Sequence, residues 1–316
     1  MGVWGRFTNW LTENNASPVL SQLELTPADG TVEVIPVPNV HATPSVSDRR
    51  FGKFVSIESR EGKGSVRRGG VPPLLGRVAI GSFFLGMHGK GWKDEEIAGG
   101  MHTLIRAGEW IEREAIRQNA AVNIRLLDTY FVANDPVVMD KEVEIAILPE
   151  GDGEGLHDAH AEVNLMASVG RASQILGFRD IADLVSRIRD LVDCDTLVWL
   201  VHVRSRGRSF VVTESVSAMR GVNLAFCFAA EDDFPGRLVG PPLSDPTTFA
   251  HELLHLFGAT DKYAMSLDSF PPDSVTRMDI MRLEVETLKR LRINPLTAEE
   301  IGWTINGKPL ALLPKK

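Results

Sequence analysis

The sequence has little cysteine, which argues against a disulfide-linked framework. Cys194 and Cys227 are the only two cysteines among 316 residues, and they lack the close spacing of a CxxC pair. We interpret both as small buried hydrophobic side chains in strands, and such low cysteine use fits a reducing compartment. A chain of this length can bury a sufficient core without cross-links.

Long hydrophobic runs and targeting signals are also missing. No stretch approaches the roughly 20 apolar residues that a membrane-spanning helix requires. The N-terminal sequence MGVWGRFTNWL lacks the basic start, apolar run and cleavage site of a signal peptide. Arg6 stands where a myristoylation signal requires serine or threonine. We therefore expect a cytoplasmic protein without a membrane partner.

Positive charge is not in excess. The formal net charge is -8 and the isoelectric point is near 5.6. A general nucleic-acid binder needs a basic surface to displace counterions from phosphates, so we expect no nucleic-acid partner. The content of 43% hydrophobic and 24% charged residues is that of an ordinary globular protein.

The composition changes near residue 90. Residues 1–90 are rich in proline, glycine, valine and serine, and the alternating runs at 31–37 and 51–57 predict short strands between loops. Apolar residues then recur at helical spacing over residues 94–119, which predicts a long amphipathic helix. We expect an N-terminal β-rich region of unknown role, followed by a second domain over residues 91–316.

The remainder of the chain alternates strand and helix patterns. Strands are predicted at 121–133, 142–148, 196–203, 209–213 and 222–229, and a second helix at 179–192. Thr297 and Glu300 have the spacing of a capping box and predict a C-terminal helix that begins at Thr297. This alternation predicts an α/β fold.

The most informative segment reads SDPTTFAHELLHLFGATDKY over residues 244–263. Asp245 is a good N-cap and Pro246 suits the first helical position, so a helix should begin here and continue through Phe257. Gly258 can end it, because glycine reaches positive φ without steric cost.

Two histidines on this helix have the spacing of metal ligands. His251 and His255 lie four residues apart, so both imidazoles lie on one helix face and can bind a single ion. Phe249, Leu253 and Leu256 are then free to face the core. A catalytic zinc site requires a third protein ligand and leaves its fourth position to water.

Asp261 is the predicted third ligand. It follows Gly258 by three residues, so a chain that turns sharply at the glycine can direct this carboxylate back toward the histidines. Asp279, Glu284 and Glu286 are alternative third ligands. Two imidazoles and one carboxylate favour Zn²⁺ over other divalent ions as the cofactor.

Glu252 is the predicted catalytic base. It adjoins the first histidine, where a carboxylate lies near the metal but faces the bound water rather than the ion. Zinc lowers the pKa of such a water toward about 7. A carboxylate that accepts its proton can later pass the proton to the leaving amine.

The segment 251–261 follows the pattern HExxHxxGxxD and resembles the metzincin clan of zinc peptidases, in particular its snapalysin-like members. The order of the predicted elements over residues 94–305 is similar to that clan. The resemblance implies an α+β zincin-like fold, with a mixed twisted sheet, a long backing helix and an HExxH active-site helix. It also implies a zinc metalloendopeptidase.

Members of this clan have a methionine-containing turn beneath the metal. The sequence Met-Asp-Ile-Met at 278–281 is a counterpart, with Met281 as the expected floor and Met278 as the alternative. Tyr263, two residues beyond the expected third ligand, is a candidate hydrogen-bond donor to an oxyanion, with a packing role as the alternative.

These residues predict hydrolysis of a protein or peptide substrate. We expect the strand at 209–213 to align an extended substrate and residues 264–277 to wall the site. A narrower hypothesis is a peptidase kept inactive by residues 1–90. The alternative from another class is a non-catalytic binding or assembly module with a structural metal. Glu252 argues against it, because a structural site has no use for a base and closes its fourth position.

Overall fold

The computed structural model describes somewhat more than half of the chain. The described residues are 71–87, 91–134, 159–205, 209–212, 222–229, 245–263, 278–282 and 287–305, together with short strands at 24–25, 33–34, 40–44, 54–55 and 308–309. The strand predicted at 142–148 lies outside these residues, as do Glu284, Glu286 and the segment 264–277.

The strands of the described chain form one large sheet and two small hairpins. In chain order they are β1 (Glu24–Leu25), β2 (Glu33–Val34), β3 (Val40–Pro44), β4 (Phe54–Val55), β5 (Gly76–Leu85), β6 (Val122–Ala133), β7 (Thr196–Val203), β8 (Phe210–Val211), β9 (Leu224–Phe228), β10 (Thr304–Ile305) and β11 (Lys308–Pro309). β1 pairs with β2, and β10 with β11.

Five α-helices and one short 3-10 turn are described. They are α1 (Asp94–Arg117), α2 (Ala159–Ile175), α3 (Ile181–Leu191), α4 (Pro246–His255) and α5 (Pro295–Glu300), with the 3-10 turn at Leu288–Arg290. Among them, none combines the length and the apolar character that a bilayer span requires.

The large sheet is mixed. Its described strands follow the order β3-β6-β5-β7-β9-β8, and β4 also pairs with β6. β6, β5, β7 and β9 run parallel, whereas β3 and β8 are antiparallel to their neighbours. The predicted α/β class with a mixed sheet is therefore confirmed.

Helices cover both faces of this sheet because side chains alternate along each strand. In β5, Val78 and Ile80 belong to the core shared with α1 and α4, whereas Ala79 and Phe83 belong to the core shared with α2 and α3. Along α1, buried residues recur at helical spacing, and α1 packs against α4. The long helix predicted at 94–119 is thus confirmed, and it backs the motif helix.

β5 lies at the centre of the sheet, hydrogen-bonded to β6 on one side and β7 on the other. The chain leading into it is also tied to the C-terminal region, since Leu74 N donates to Ile301 O and Trp303 Nε1 donates to Leu74 O. β5, which lies within the predicted region 1–90, therefore belongs to the sheet on which the motif helix packs. The role of the rest of that region stays a prediction.

Several local predictions need correction. The helix expected to begin at Thr297 begins at Pro295, and its N-cap is Asn294, whose side chain accepts a hydrogen bond from Thr297 N. Both cysteines are buried and free, but only Cys227 lies in a strand, because Cys194 precedes β7. β5 and α2 were not predicted.

Candidate metal centre

The motif helix α4 begins where its sequence predicts. Asp245 has an extended backbone, and its Oδ1 accepts a hydrogen bond from Thr247 N at 2.8 Å, which satisfies one of the free donors of the first turn. Pro246 occupies the first turn, where no amide hydrogen is needed. Phe249 and Leu253 are buried and anchor the helix to the core, so the histidine face is held in place.

The helix ends in a tight turn at Gly258. The glycine has φ = 99°, in the left-handed region, and Ala259 N donates to Leu254 O at 3.1 Å. A Cβ at position 258 would lie 3.3 Å from Glu300 O. The sharp exit expected from the sequence is confirmed, and it returns the following residues toward the histidines.

Three ligand atoms converge after this turn. The Nε2 atoms of His251 and His255 lie 2.9 Å apart, and Asp261 Oδ1 lies 3.1 Å from the first and 3.2 Å from the second. Within the described residues, this is the one group of three or more His, Cys, Asp or Glu side chains placed to hold a metal ion. Both histidines are half-buried, and Asp261 is exposed, so the group is open to solvent on one side.

Backbone carbonyls select the histidine tautomers. His251 Nδ1 lies 3.2 Å from Ile280 O, and His255 Nδ1 lies 2.7 Å from Ala259 O. Because a carbonyl can only accept, each Nδ1 carries the proton and each neutral imidazole presents the Nε2 lone pair to the other two ligands. The two nitrogen lone pairs and the carboxylate oxygen then face one point. These electron-rich atoms repel one another unless a cation or a proton lies between them.

The dimensions of the group match a zinc site. Zinc binds imidazole nitrogen and carboxylate oxygen at about 2.0–2.2 Å in tetrahedral geometry, which places neighbouring ligand atoms roughly 3.3 Å apart. The three observed separations, 2.9, 3.1 and 3.2 Å, are close to that value. Nitrogen and oxygen donors are those that zinc accepts. The residues present therefore fit a zinc ion.

The same contacts determine the protonation of the site. Burial alone would lower the pKa of His251, but the hydrogen bond to Asp261 and the charges of Glu252 and Asp261 outweigh it and raise that pKa. Burial would raise the pKa of Asp261, but hydrogen bonds to His251 and His255 lower it well below its usual range. A proton and a metal cation compete for these groups, because each neutralises the converging lone pairs.

Glu252 is buried beside the histidines. Only 4% of its surface is exposed, and its charge is close enough to His251 to raise the pKa of that imidazole. Glu252 is not part of the group of three candidate metal ligands. Its position next to the ligands, but outside their group, is compatible with the predicted role of a base.

Tyr263 lies over the first ligand. Its ring stacks on the ring of His251 with a centroid separation of 5.9 Å, and its hydroxyl lies 3.4 Å from His251 Nε2. The side chain is 38% exposed, so the hydroxyl can reach a molecule that enters from solvent. The geometry permits both predicted roles, packing and hydrogen bonding to an oxyanion.

The segment 278–281, the predicted methionine turn, lies against the candidate ligands. Ile280 O accepts from His251 Nδ1, and Met281 O accepts from Lys262 N at 2.8 Å. Met281 is completely buried, whereas Met278 is half-buried. The methionine segment thus contacts both His251 and Lys262, the residue that follows the third candidate ligand.

Asp279 is placed away from the histidines. It is completely buried; its Oδ1 accepts from Met281 N and Thr297 Oγ1, and its Oδ2 accepts from Asn294 N at 2.7 Å. This alternative third ligand instead ties the segment 278–281 to the start of α5. Burial raises the pKa of its carboxyl, and the backbone hydrogen bonds oppose that shift.

Glu300, at the other end of α5, holds the residues on either side of Asp261. It accepts hydrogen bonds from Thr260 N at 3.1 Å, from Thr260 Oγ1 at 2.7 Å and from Lys262 Nζ at 2.7 Å. Lys262 is completely buried, and its ammonium group also donates to Thr260 O. We refer to Thr260, Lys262 and Glu300 as the α5 clamp. No local pattern predicts this clamp, and the capping-box role predicted for Glu300 is wrong, because the N-cap of α5 is Asn294.

No protein-family model and no curated protein matches the chain.

Proposed function

We propose that the protein is a zinc-dependent metalloendopeptidase. One observation carries this proposal: His251 Nε2, His255 Nε2 and Asp261 Oδ1 converge within 2.9–3.2 Å as lone-pair donors, with both imidazole Nδ1 atoms committed to carbonyls. Zinc satisfies such a set, and three protein ligands with a solvent-facing side are the arrangement of a catalytic rather than a closed structural site.

The proposed chemistry assigns a role to each side chain. Zinc held by the three ligands would supply a water of lowered pKa and polarise the scissile carbonyl. The Glu252 carboxylate accepts the proton of the attacking water and passes it to the amine nitrogen of the leaving fragment. The Tyr263 hydroxyl donates a hydrogen bond to the oxyanion as the carbonyl carbon becomes tetrahedral.

The substrate in this proposal is a protein or peptide in extended form. β8 is the last strand of the described sheet on the side of β9, and it contacts α4. An extended segment can add to such an edge through main-chain hydrogen bonds, as in other modes of peptide recognition. Within the described part of the predicted strand 209–213, β8 covers Phe210–Val211, and Val212 N also donates to Leu224 O of β9.

Glu252→Gln tests the proposal. The amide keeps the shape of the side chain but cannot accept the proton, so cleavage of an unfolded protein substrate should fall by about 10²-fold or more while zinc content stays unchanged. Glu95→Gln, which changes an exposed glutamate on α1 outside the group, is the matched control. Wild-type cleavage by Glu252→Gln would refute the role of the base.

The same experiment addresses the binding-module alternative. A protein with a purely structural metal would cut no substrate in either form, yet would lose stability when a chelator removes the ion. Cleavage by the wild type that a chelator abolishes and zinc restores would exclude that alternative.

A further inference from the structure

A second concave site lies beside the start of α4. A cavity of about 400 Å³ opens between α1, Pro246 and the segment 287–292. It includes none of the residues of the candidate metal centre, and its volume is in the range of small-ligand sites, about 300–1,000 Å³.

The cavity is basic in an acidic protein. Five cationic side chains line it, and two carboxylates, Glu109 and Glu114, oppose them. The cations are Arg106, Arg113, Arg117, Lys289 and Arg292. The described lining residues therefore have a net charge of +3, whereas the whole chain has a net charge of -8. The local sign is opposite to that of the molecule.

The positions along α1 concentrate this charge. Arg106, Arg113 and Arg117 are spaced by seven and four residues, so they follow one face of the helix, and this face is turned toward Lys289 and Arg292 on the opposite wall. Trp110 lies on the same face, one turn beyond Arg106, and adds an aromatic surface to the lining.

Several arginines elsewhere in the described chain have carboxylate partners. Arg77, Arg179, Arg187 and Arg204 each form an ion pair with an aspartate or glutamate. In the cavity only Arg117 does so, with Glu114 at 2.5 Å. Within the described residues, Arg106, Arg113 and Lys289 have no carboxylate within ion-pair distance.

The buried carboxylate of the cavity is already engaged. Glu114 is 2% exposed; its Oε1 accepts from Arg117, and its Oε2 accepts from Ile293 N at 3.3 Å. The guanidinium of Arg292 is held by carbonyls, since its Nη1 donates to Leu291 O and Lys289 O. Glu114 thus neutralises Arg117, whereas the carbonyls that order Arg292 leave its positive charge uncompensated.

From this cavity, its charge and its free guanidinium groups, we propose a binding site for a small multivalent oxyanion of the phosphate class. Guanidinium groups present planar pairs of N–H donors that match phosphate oxygens, and the long side chains of two arginines two turns apart on one helix face can contact the same ligand. The site is separate from the metal centre, so this proposal does not depend on the peptidase proposal.

Calorimetric titration of pyrophosphate into the full-length protein at fixed ionic strength tests the site. We expect saturable binding with a stoichiometry of about one, and a loss of affinity of about tenfold or more in Arg113→Gln, because a charged hydrogen bond contributes at least that factor. Arg171→Gln, an exposed arginine on α2, is the matched control and should bind as the wild type does.

A parallel titration into His251→Ala separates this site from chelation of a bound metal by pyrophosphate. Retained binding in that variant supports the cavity, whereas its loss would assign the signal to the metal centre. Absence of saturable binding in the wild type, or equal losses in Arg113→Gln and Arg171→Gln, would overturn the proposal.

Discussion

Glu300→Gln should weaken both the stability of the protein and its affinity for metal. Glu300 accepts three hydrogen bonds in the α5 clamp, and one donor is the ammonium group of Lys262, which is completely buried. Loss of one partner of a buried ion pair costs roughly 3–5 kcal/mol, because the other charge remains buried without compensation.

The expected cost is lower than this range for two reasons. The glutamine oxygen can still accept hydrogen bonds, and the Glu300 side chain is 21% exposed, so water partly replaces the lost charge. Together these effects lead us to expect a loss of about 2–3 kcal/mol in the free energy of unfolding. Urea unfolding of the metal-free protein, with the exposed neighbour Glu299→Gln as control, measures it.

A double-mutant cycle assigns the loss to the ion pair. If Lys262→Met removes the buried charge, Glu300→Gln should cost much less in that background, since the two residues share one interaction. Additive losses, or a change below about 0.5 kcal/mol in the single variant, would refute the reasoning.

The metal measurement tests the positioning role. Because Glu300 holds Thr260 and Lys262 on either side of Asp261, Glu300→Gln should weaken zinc binding by about 10- to 100-fold in competition with a chelator. A variant with reduced stability but wild-type zinc affinity would reduce the clamp to a stabilising contact.

Three further perturbations have defined outcomes. Tyr263→Phe keeps the ring on His251 but removes the hydroxyl, so kcat should fall by about 10²-fold with little change in KM; an unchanged kcat would leave Tyr263 a packing role only. Gly258→Ala should lower the free energy of unfolding by about 1–2 kcal/mol or more, because φ is 99°, and wild-type stability would contradict the observed turn. Burial lowers the pKa of His202 from 6.5 to about 3, so the unfolded chain takes up a proton first as the pH falls below 6.5. Stability should therefore decline from pH 6.5 toward pH 3, by about 2 kcal/mol at pH 5, and His202→Leu should remove that part of the decline in urea unfolding measured at pH 7 and pH 5. Equal pH dependence in the two proteins would contradict it.

The acid sensitivity of His202 follows from its surroundings. Its ring stacks on Phe84 at a centroid separation of 4.2 Å and meets Trp92 and Phe249 edge to face. Within the described residues its Nε2 has no hydrogen-bond partner. The Arg204 guanidinium, which pairs with Glu96, lies over the Trp92 ring.

The motif helix was the most predictable part of the fold because its signals are local. The cap at Asp245, the proline after it, the spacing of His251 and His255 and the turn at Gly258 all act within a few residues, and the structure places each as expected. Local sequence was thus sufficient to place the three candidate ligands on one helix and the turn that follows it.

Two elements were missed for different reasons. β5 reads GRVAIGSFFL, an almost continuous apolar run of the kind that buried parallel strands have, but its glycines and its place in a loop-rich region obscured it. α2 follows a stretch rich in glycine and acids, and its core face is marked by Leu165, Val169 and Ala172 among small residues. Because the buried and exposed faces of α2 differ little in hydrophobicity, its sequence shows only a weak amphipathic pattern.

The contacts that support the site could not be predicted. Glu300 lies 38 residues from Lys262, and Asp279 lies 15 residues from Asn294 and 18 from Thr297. No local pattern encodes such pairs, because they depend on how α5 packs against segments distant in sequence, such as residues 260–262. Asp279 was a reasonable alternative ligand by type, and only its burial against Asn294 and Thr297 gives it another role.

Elemental analysis of the purified protein beside Asp261→Ala tests the central claim most directly. The account predicts about one zinc per wild-type chain, and a strongly reduced content in the variant after dialysis against a weak chelator. Asp279→Asn, which alters a carboxylate outside the group, should retain more zinc than Asp261→Ala. A wild-type protein that binds no zinc when the ion is supplied, or a variant that retains it fully, would contradict the three-ligand centre.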